Sequence, residues 1–271
     1  MHYPKITIIT IVLNGEKHLE RCLKSIVSQN YPNLEYIVID GESIDGTLQI
    51  IEKYRSFISK IISEKDNGIS DAFNKGIRLA TGEIIGIINA DDWLEKDILI
   101  RLVEPFKYNN EIVYGKINQW YSNSVLVAHA NHKLLNKRMT LNHPAVFAKR
   151  NVYHKFGYFN LDFRIAMDYE WLLRCYINHV KFEYLDVVMV NMDMSGLSMQ
   201  NWRKGLLEVQ KAKNMHLDKP IQTKLYYWYQ VFSTYFSVLF INSPFKTVFH
   251  FYQKFASPVK KESIKNKKNQ I

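Results

Sequence analysis

The sequence predicts an α/β protein, a mostly parallel sheet flanked by helices, followed by a helical, aromatic-rich C-terminal extension. Three observations lead there. Short β-branched apolar runs recur through the first hundred residues, stretches of helical period separate them, and Ile84-Ile-Gly-Ile-Ile88 is almost wholly apolar. A run of that last kind suits a strand covered on both faces, as in a parallel sheet.

In order, residues 6–13 read as the first strand, ending at Asn14-Gly15. A helix over about 16–29 carries Leu19, Leu23, Ile26 and Val27 on one face, and Pro32 closes it. Residues 34–40 form a second strand that ends in Asp40. The loop Gly41-Glu-Ser-Ile-Asp-Gly-Thr47 offers Asp45 or Thr47 as a cap for a helix over 47–57. A short strand at 61–63, a helix over 70–79 followed by Gly82, and a strand over 83–88 complete a βαβαβαβ pattern, which implies right-handed crossovers.

Beyond Asp92 the patterns predict a helix over 94–108, a hairpin of 111–120 and 125–130 around Ser122-Asn-Ser124, a short helix over 151–156 stopped by Gly157, a helix entered through 163–174, and a strand over 182–192. Ser195-Gly-Leu-Ser198 is a polar turn. A basic helix at 202–215 leads into aromatic stretches at 225–229, 232–241 and 245–255, interrupted by Pro244. The charged end, 259–271, is expected to be disordered.

The 271 residues carry a formal net charge of +10, which favours a polyanionic partner or an anionic membrane surface. Cys22 and Cys175 fall in helical patterns and suggest neither a disulfide framework nor a zinc site; a reducing compartment fits. The first apolar run lacks a small-residue cleavage site and reads as a strand rather than a signal peptide. No apolar stretch reaches span length. No nucleic-acid motif is recognised, so nucleic acid is not an expected partner.

The candidate chemistry sits at strand ends. Asp91 and Asp92 end the fourth strand side by side, and neighbouring carboxylates repel unless a cation lies between them. Such an oxygen-rich pair suits Mn2+ or Mg2+ carrying a nucleotide diphosphate. Asp168 and Glu170 lie two apart at a helix start, so they face different sides and only one can act as a base on a given substrate.

The motifs Asp40-Gly-Glu-Ser-Ile-Asp-Gly-Thr47, Ser63-Glu-Lys-Asp-Asn-Gly-Ile-Ser-Asp-Ala-Phe-Asn-Lys-Gly76, Thr81-Gly82 and Asn89-Ala-Asp-Asp92 resemble the family 2 glycosyltransferases, most closely the bacterial branch that builds O-antigen, colanic acid and capsular polysaccharides. The resemblance covers roughly residues 5–200. It implies a GT-A (Rossmann-like) fold, a nucleotide-sugar donor, a divalent metal and inversion at the anomeric carbon. It implies a catalytic domain over 1–200, with a nucleotide-sugar half to about 110 and an acceptor half to 200, then an extension over 201–258 and a basic tail.

Carried onto this sequence, the resemblance places Val12, Asn14, Glu16 and Asp40 around the nucleobase, and Asp66 and Asp71 beside the sugar-nucleotide cleft. Asn89 stands where an acidic motif usually starts, Asp91 and Asp92 take the ribose and metal, and His143 and Arg164 lie on the acceptor side. Asp168 is the general base, with Glu170 the second choice. Leu13 stands where many relatives have an aromatic residue, and Gly41 where many have a second acid. The implied reaction moves a UDP-linked hexose or N-acetylhexosamine onto a polyprenyl-diphosphate-linked saccharide, by an enzyme held peripherally on the cytoplasmic face of the bacterial plasma membrane.

Plainer readings stand beside these. Asp168 or Asp40 is a helix cap, Asp91-Asp92 a favourable helix start, His143 a structural histidine, Arg164 and Arg174 ion-pair members, and the aromatic stretch plain core rather than a membrane interface. Two other functions use similar features: a non-catalytic polyanion-binding protein, and a nucleotidyltransferase.

Overall fold

Alternation along the first strands decides which helices go where. In the computed structural model, which describes residues 3–121, 124–194, 201–218, 220–241 and 261–263, β1 (Ile6–Val12) sends Ile6 and Ile8 to one face of the sheet and Ile9 to the other. On the first face they meet α1 (Leu19–Val27), α2 (Thr47–Lys53) and α4 (Ile98–Lys107), through Leu23, Ile50 and Leu102. On the second they meet α3 (Ile69–Leu79), α5 (Arg150–Phe156) and α6 (Met167–Ile177), through Phe73, Val152 and Trp171.

Four strands form the parallel centre, in the order β3 (Lys60–Ser63), β2 (Leu34–Asp40), β1, β4 (Ile84–Ile87). The chain builds outward from β1 to β3, then returns to the far side of β1. The gap between the ends of β1 and β4 is therefore a topological switch point, where open α/β sheets bind ligands.

The second half extends the sheet with mixed pairing. β8 (Val146–Lys149) runs antiparallel to β4, and β6 (Ile112–Tyr121) antiparallel to β8. β9 (Phe182–Asp193) runs parallel to β6, with register shifts around Lys116, and the two-residue β5 (Trp93–Leu94) pairs with β9. β7 (Ser124–Ala128) closes the expected hairpin with β6. Two reversals make β6 and β9 run in the direction of β4. The ends of β2, β4 and β9 thus face the same edge, as does the start of β8.

Several local expectations are corrected. The helix expected from 94 begins at Ile98, because Trp93 and Leu94 pair with Asn191 and Val190 and Asp97 takes a left-handed turn at φ 59°. The stretch after His143 is a 3-10 turn (His143–Ala145) leading into β8, a strand too short to announce itself by alternation. The helix expected over 47–57 ends at Lys53, and a 3-10 turn (Arg55–Phe57) follows. Gly46, rather than Asp45 or Thr47, stands at the N-cap and offers no side chain to it, while Asp45 just before it accepts from the Thr47 N–H at 3.0 Å.

The C-terminal extension contains α7 (Trp202–His216), packed on α6, and α8 (Pro220–Ile241), packed on α7. Within the tail expected to be disordered, β10 (Lys261–Ser263) pairs antiparallel with β7. A free sheet edge recruits passing backbone in this way. The polar turn at 195–198, the aromatic stretch at 245–255 and the remainder of the tail lie outside the described residues. No described helix is long and apolar enough to cross a membrane.

Candidate active site

The first site wall is a stapled pair of loops following β1 and β2. Asn14, at φ 51°, accepts from the Ile44 N–H at 3.0 Å, and its own N–H donates to Ser43 Oγ at 2.8 Å. Glu16 accepts from the Gly46 N–H at 3.1 Å, and Thr47 Oγ1 accepts from the Gly15 N–H at 2.9 Å. Val12 is buried beneath them, while Leu13 is exposed. Asp40 is fully buried: its carboxylate accepts from the Ser43 N–H at 3.1 Å and Ser63 Oγ at 2.6 Å. It braces the loop at the sheet edge, and a base-contacting role has to work through that loop. A Cβ at Gly41 would stand 2.9 Å from Asp66 Oδ2, so the loop passes directly over the β3 end.

The second wall is held by Lys75, which sequence reasoning passed over. Its ammonium reaches Glu64 at 2.9 Å, Asp66 at 2.8 Å and Asp71 at 3.7 Å. The i, i+4 spacing of Asp71 and Lys75 was the available signal. Asp71 also accepts from the Asn67 N–H at 3.0 Å, tying the loop to the helix start. Asp66 and Asp71 are thus partly neutralised members of an ion cluster at the cleft edge.

The acidic centre follows β4. Asp92 is 1% exposed, accepts from Asn89 Nδ2 at 3.1 Å and receives the Asp193 backbone N–H. Burial, with the neighbouring Asp91 charge, pushes its carboxyl well above the usual range. Asp91, half-buried, is also raised, by burial and Asp193, with His18 and Arg21 opposing. Asp193 ends β9 much as Asp40 ends β2, and the sequence reading stopped one residue short of it. Arg21 lies 3.5 Å over the Trp93 ring, donates to the Asp91 carbonyl at 3.1 Å and approaches Asp193 at 3.9 Å.

Among the described residues, no cluster of three His, Cys, Asp or Glu side chains is placed to hold a metal. The adjacent carboxylates of Asp91 and Asp92 are the donor set on this edge whose hard oxygens match magnesium or manganese, ions that keep phosphate and water as their other ligands.

The opposite side is built by α6. Its approach is gripped by α3: Ser70 Oγ donates to the Phe163 carbonyl at 2.8 Å, and Asn74 exchanges two hydrogen bonds with Phe159 at 2.8 and 3.0 Å. Arg164 donates to the Asn67 carbonyl. From α7, Glu208 accepts the backbone N–H groups of Arg164, Ile165 and Ala166 at 3.0, 2.8 and 2.8 Å, and so caps the helix start. Asp168 sits in the first turn and does not cap it. It accepts from the Tyr169 N–H at 2.7 Å, and burial, aided by Glu208, pushes its carboxyl up to about 6.

Glu170, the second choice for a base, is 2% exposed and fully engaged. Arg174 pairs with it at 2.9 Å and His216 Nε2 lies 2.7 Å away. It locks α6 to α7 and is not free to take a substrate proton. His143 stacks on Phe73, ring centroids 4.7 Å apart, and burial holds its imidazole down to about 4, so it is neutral at physiological pH. It lies at the start of β8, beside the end of β4.

The sheet therefore brings Asp40, Asn89, Asp91, Asp92, Asp193 and His143 to one edge. The α3 contacts bring the approach to Asp168 to that edge too, because α3 begins just beyond β3.

Comparison with known proteins agrees with this architecture. The family described as Glycosyl transferase family 2 matches residues 7–167. A PGL/p-HBAD biosynthesis glycosyltransferase of Mycobacterium bovis is 32% identical over 211 residues, 73% of this chain and 80% of the relative. The putative glycosyltransferase EpsH of Bacillus subtilis is 34% identical over 99 residues, 36% of this chain and 29% of its own. Among solved structures, residues 1–349 of S. aureus TarS in complex with UDP-GlcNAc align with TM-score 0.62 at 17% identity, covering 82% of this chain and 70% of that one. The chain spans 42% of the longer TarS structure. The mannosyltransferase PcManGT from Pyrobaculum calidifontis, in complex with GDP-Man and Mn2+, aligns with TM-score 0.61 at 16% identity, covering 92% and 84%. The mycobacterial and Bacillus names do not carry the expected O-antigen, colanic acid or capsule branch.

Proposed function

Because this chain belongs to glycosyl transferase family 2, and is therefore a glycosyltransferase, we propose that it moves a sugar from a nucleoside diphosphate, UDP-hexose or UDP-N-acetylhexosamine, onto a lipid-diphosphate-linked saccharide in surface polysaccharide synthesis. It inverts the anomeric carbon and works at the cytoplasmic face of the plasma membrane, held there peripherally.

Direct displacement needs a base on the acceptor side and charge stabilisation on the donor side. Asp168 takes the proton of the acceptor hydroxyl. The oxygen attacks the anomeric carbon as the bond from that carbon to the diphosphate oxygen breaks, and the electron pair leaves with the nucleoside diphosphate. A carboxyl raised to about 6 is still mostly ionised at neutral pH, yet more basic than an ordinary aspartate. Asp91 and Asp92 are the carboxylates that would hold a divalent ion, and such an ion would offset the charge of the leaving diphosphate. The Asn14, Glu16 and Asp40 loops shape the nucleoside side, and neutral His143 lines the acceptor side.

The observation that supports this reading most is that the ends of β2, β4 and β9 share an edge with the approach to α6. The test measures nucleoside diphosphate release across a donor panel, with and without manganese, for the wild type, Asp168→Asn and Asp92→Asn. Each variant should lose about 10²–10⁴-fold in turnover. Wild-type rates in both would remove the site assignment.

A further inference from the structure

Away from the acidic edge, the turn containing Leu134, Lys137 and Arg138 meets Tyr226 and Tyr229 of α8 around a cavity of about 440 Å³. Lys213 of α7 adjoins it. Its side chain is 1% exposed, its ammonium donates to the Lys137 carbonyl at 2.5 Å and lies 4.7 Å from the Tyr226 ring centroid. Arg138 and Tyr226 line the cavity together, and the Arg138 Nε is buried with no acceptor among the described residues.

Neither cation is seen paired with a carboxylate among the described residues. A buried charge without a counter-charge is costly. Burial, then the Arg138 charge, lowers the Lys213 ammonium to about 8, so it stays mostly protonated at neutral pH. Arg138, whose Nε has no acceptor among the described residues, lines the cavity beside two tyrosines, and the Lys213 charge lies behind that wall on the Lys137 carbonyl and Gln230 Oε1, at 2.5 and 3.5 Å; such a group of donors and charge suits a phosphate. Leu225, Trp228 and Phe232 of α8 are exposed and give the same helix an apolar, aromatic surface of the type that lies at a lipid interface. The turn is also tied to the catalytic side, since the hydroxyl of Tyr169, the residue after Asp168, donates to the Leu135 carbonyl at 2.7 Å.

We propose that this cavity binds the phosphate or diphosphate headgroup of a membrane lipid, whose hydrocarbon chain lies along the exposed face of α8. Resting on the glycosyltransferase reading above, this lipid is the carrier of the acceptor saccharide, and the turn that holds it is bonded through Leu135 to Tyr169, the residue after the proposed base.

The full-length chain is sedimented with phosphatidylcholine vesicles containing phosphatidic acid, and with vesicles matched in surface charge by phosphatidylglycerol. The wild type should prefer the phosphomonoester vesicles, and inorganic diphosphate should compete. Lys213→Met and Arg138→Gln should each lower that affinity about tenfold, as loss of a charge-assisted contact does. Lys53→Gln, an equal charge change on α2, should not. A purely structural lysine would lower the melting temperature when replaced, whereas Lys213→Met should hold or raise it. Should Lys213→Met fail to fold, Arg138→Gln decides alone. Equal binding to both vesicle types, or undiminished binding by Arg138→Gln, overturns the proposal. Diphosphate binding that depends on Arg138 without any vesicle preference overturns the lipid assignment. Asp168→Asn should bind vesicles normally, so failure of the catalytic reading is told apart from failure of this one.

Discussion

Replacing Glu208 by alanine tests how the α7 extension supports the catalytic side. One carboxylate accepts three consecutive backbone N–H groups, at Arg164, Ile165 and Ala166, where a helix start would otherwise leave them unpaired. Charge-assisted bonds of this kind contribute about 1.5–3 kcal/mol each when buried, and the partial exposure and shared acceptor here reduce the sum to roughly 2–4 kcal/mol. For a chain of this size that lowers the melting temperature by roughly 5–10 °C. Burial is the main cause of the raised Asp168 carboxyl, but Glu208 adds to it. Glu208→Ala should therefore also move the acid limb of kcat/KM to lower pH, while donor affinity stays near the wild type. The assays are thermal unfolding and a pH–rate profile on purified full-length protein. A melting temperature within about 1 °C of the wild type, with an unmoved acid limb, would refute the assignment of Glu208 as the brace of this helix.

The remaining perturbations probe separate contacts. Wild-type kcat/KM should fall as pH drops through about 6, the value to which burial raises the Asp168 carboxyl. The same shift favours folding below the ordinary aspartate range and is lost as pH rises through about 6, so Asp168→Asn should gain stability relative to the wild type across that interval in urea titrations; a constant difference from pH 4 to 8 would contradict it. Glu170→Ala leaves Arg174 and His216 without their buried partner and should cost about 3–5 kcal/mol in urea unfolding, and a loss under about 1 kcal/mol would deny the lock. Gly68 stands at φ 104° against the Arg164 guanidinium, so Gly68→Ala should cost about 1–3 kcal/mol and raise KM for the donor.

Much of the sheet was legible because its centre is locally coded. β2 follows the expected bounds, 34–40, since a β-branched run between Pro32 and a Gly-rich loop admits little else. β5 and β8 were not legible: two and four residues give no period, and pairing with β9 and β4 alone makes them strands. The acids were found by their place at strand ends, but their partners were not. Whether Glu170 is free or taken depends on His216, 46 residues away, and the state of Asp168 depends on burial and on Glu208, 40 residues on. Asp193 stood at a strand end like Asp40 and could have been found by that rule. Lys213 lies in a stretch legible only as a basic helix, and only the packing of α8 reveals that it is buried.

The central claim is that the acids at the ends of β2, β4 and β9 and the base on α6 serve one cleft. It is tested most directly by the anomalous signal of Mn2+ in crystals grown with UDP-GlcNAc. The account predicts one manganese peak in contact with the Asp91 or Asp92 carboxylate, with the sugar's anomeric carbon facing Asp168. A manganese or nucleotide bound elsewhere, with Asp168 turned away from the sugar, would contradict it.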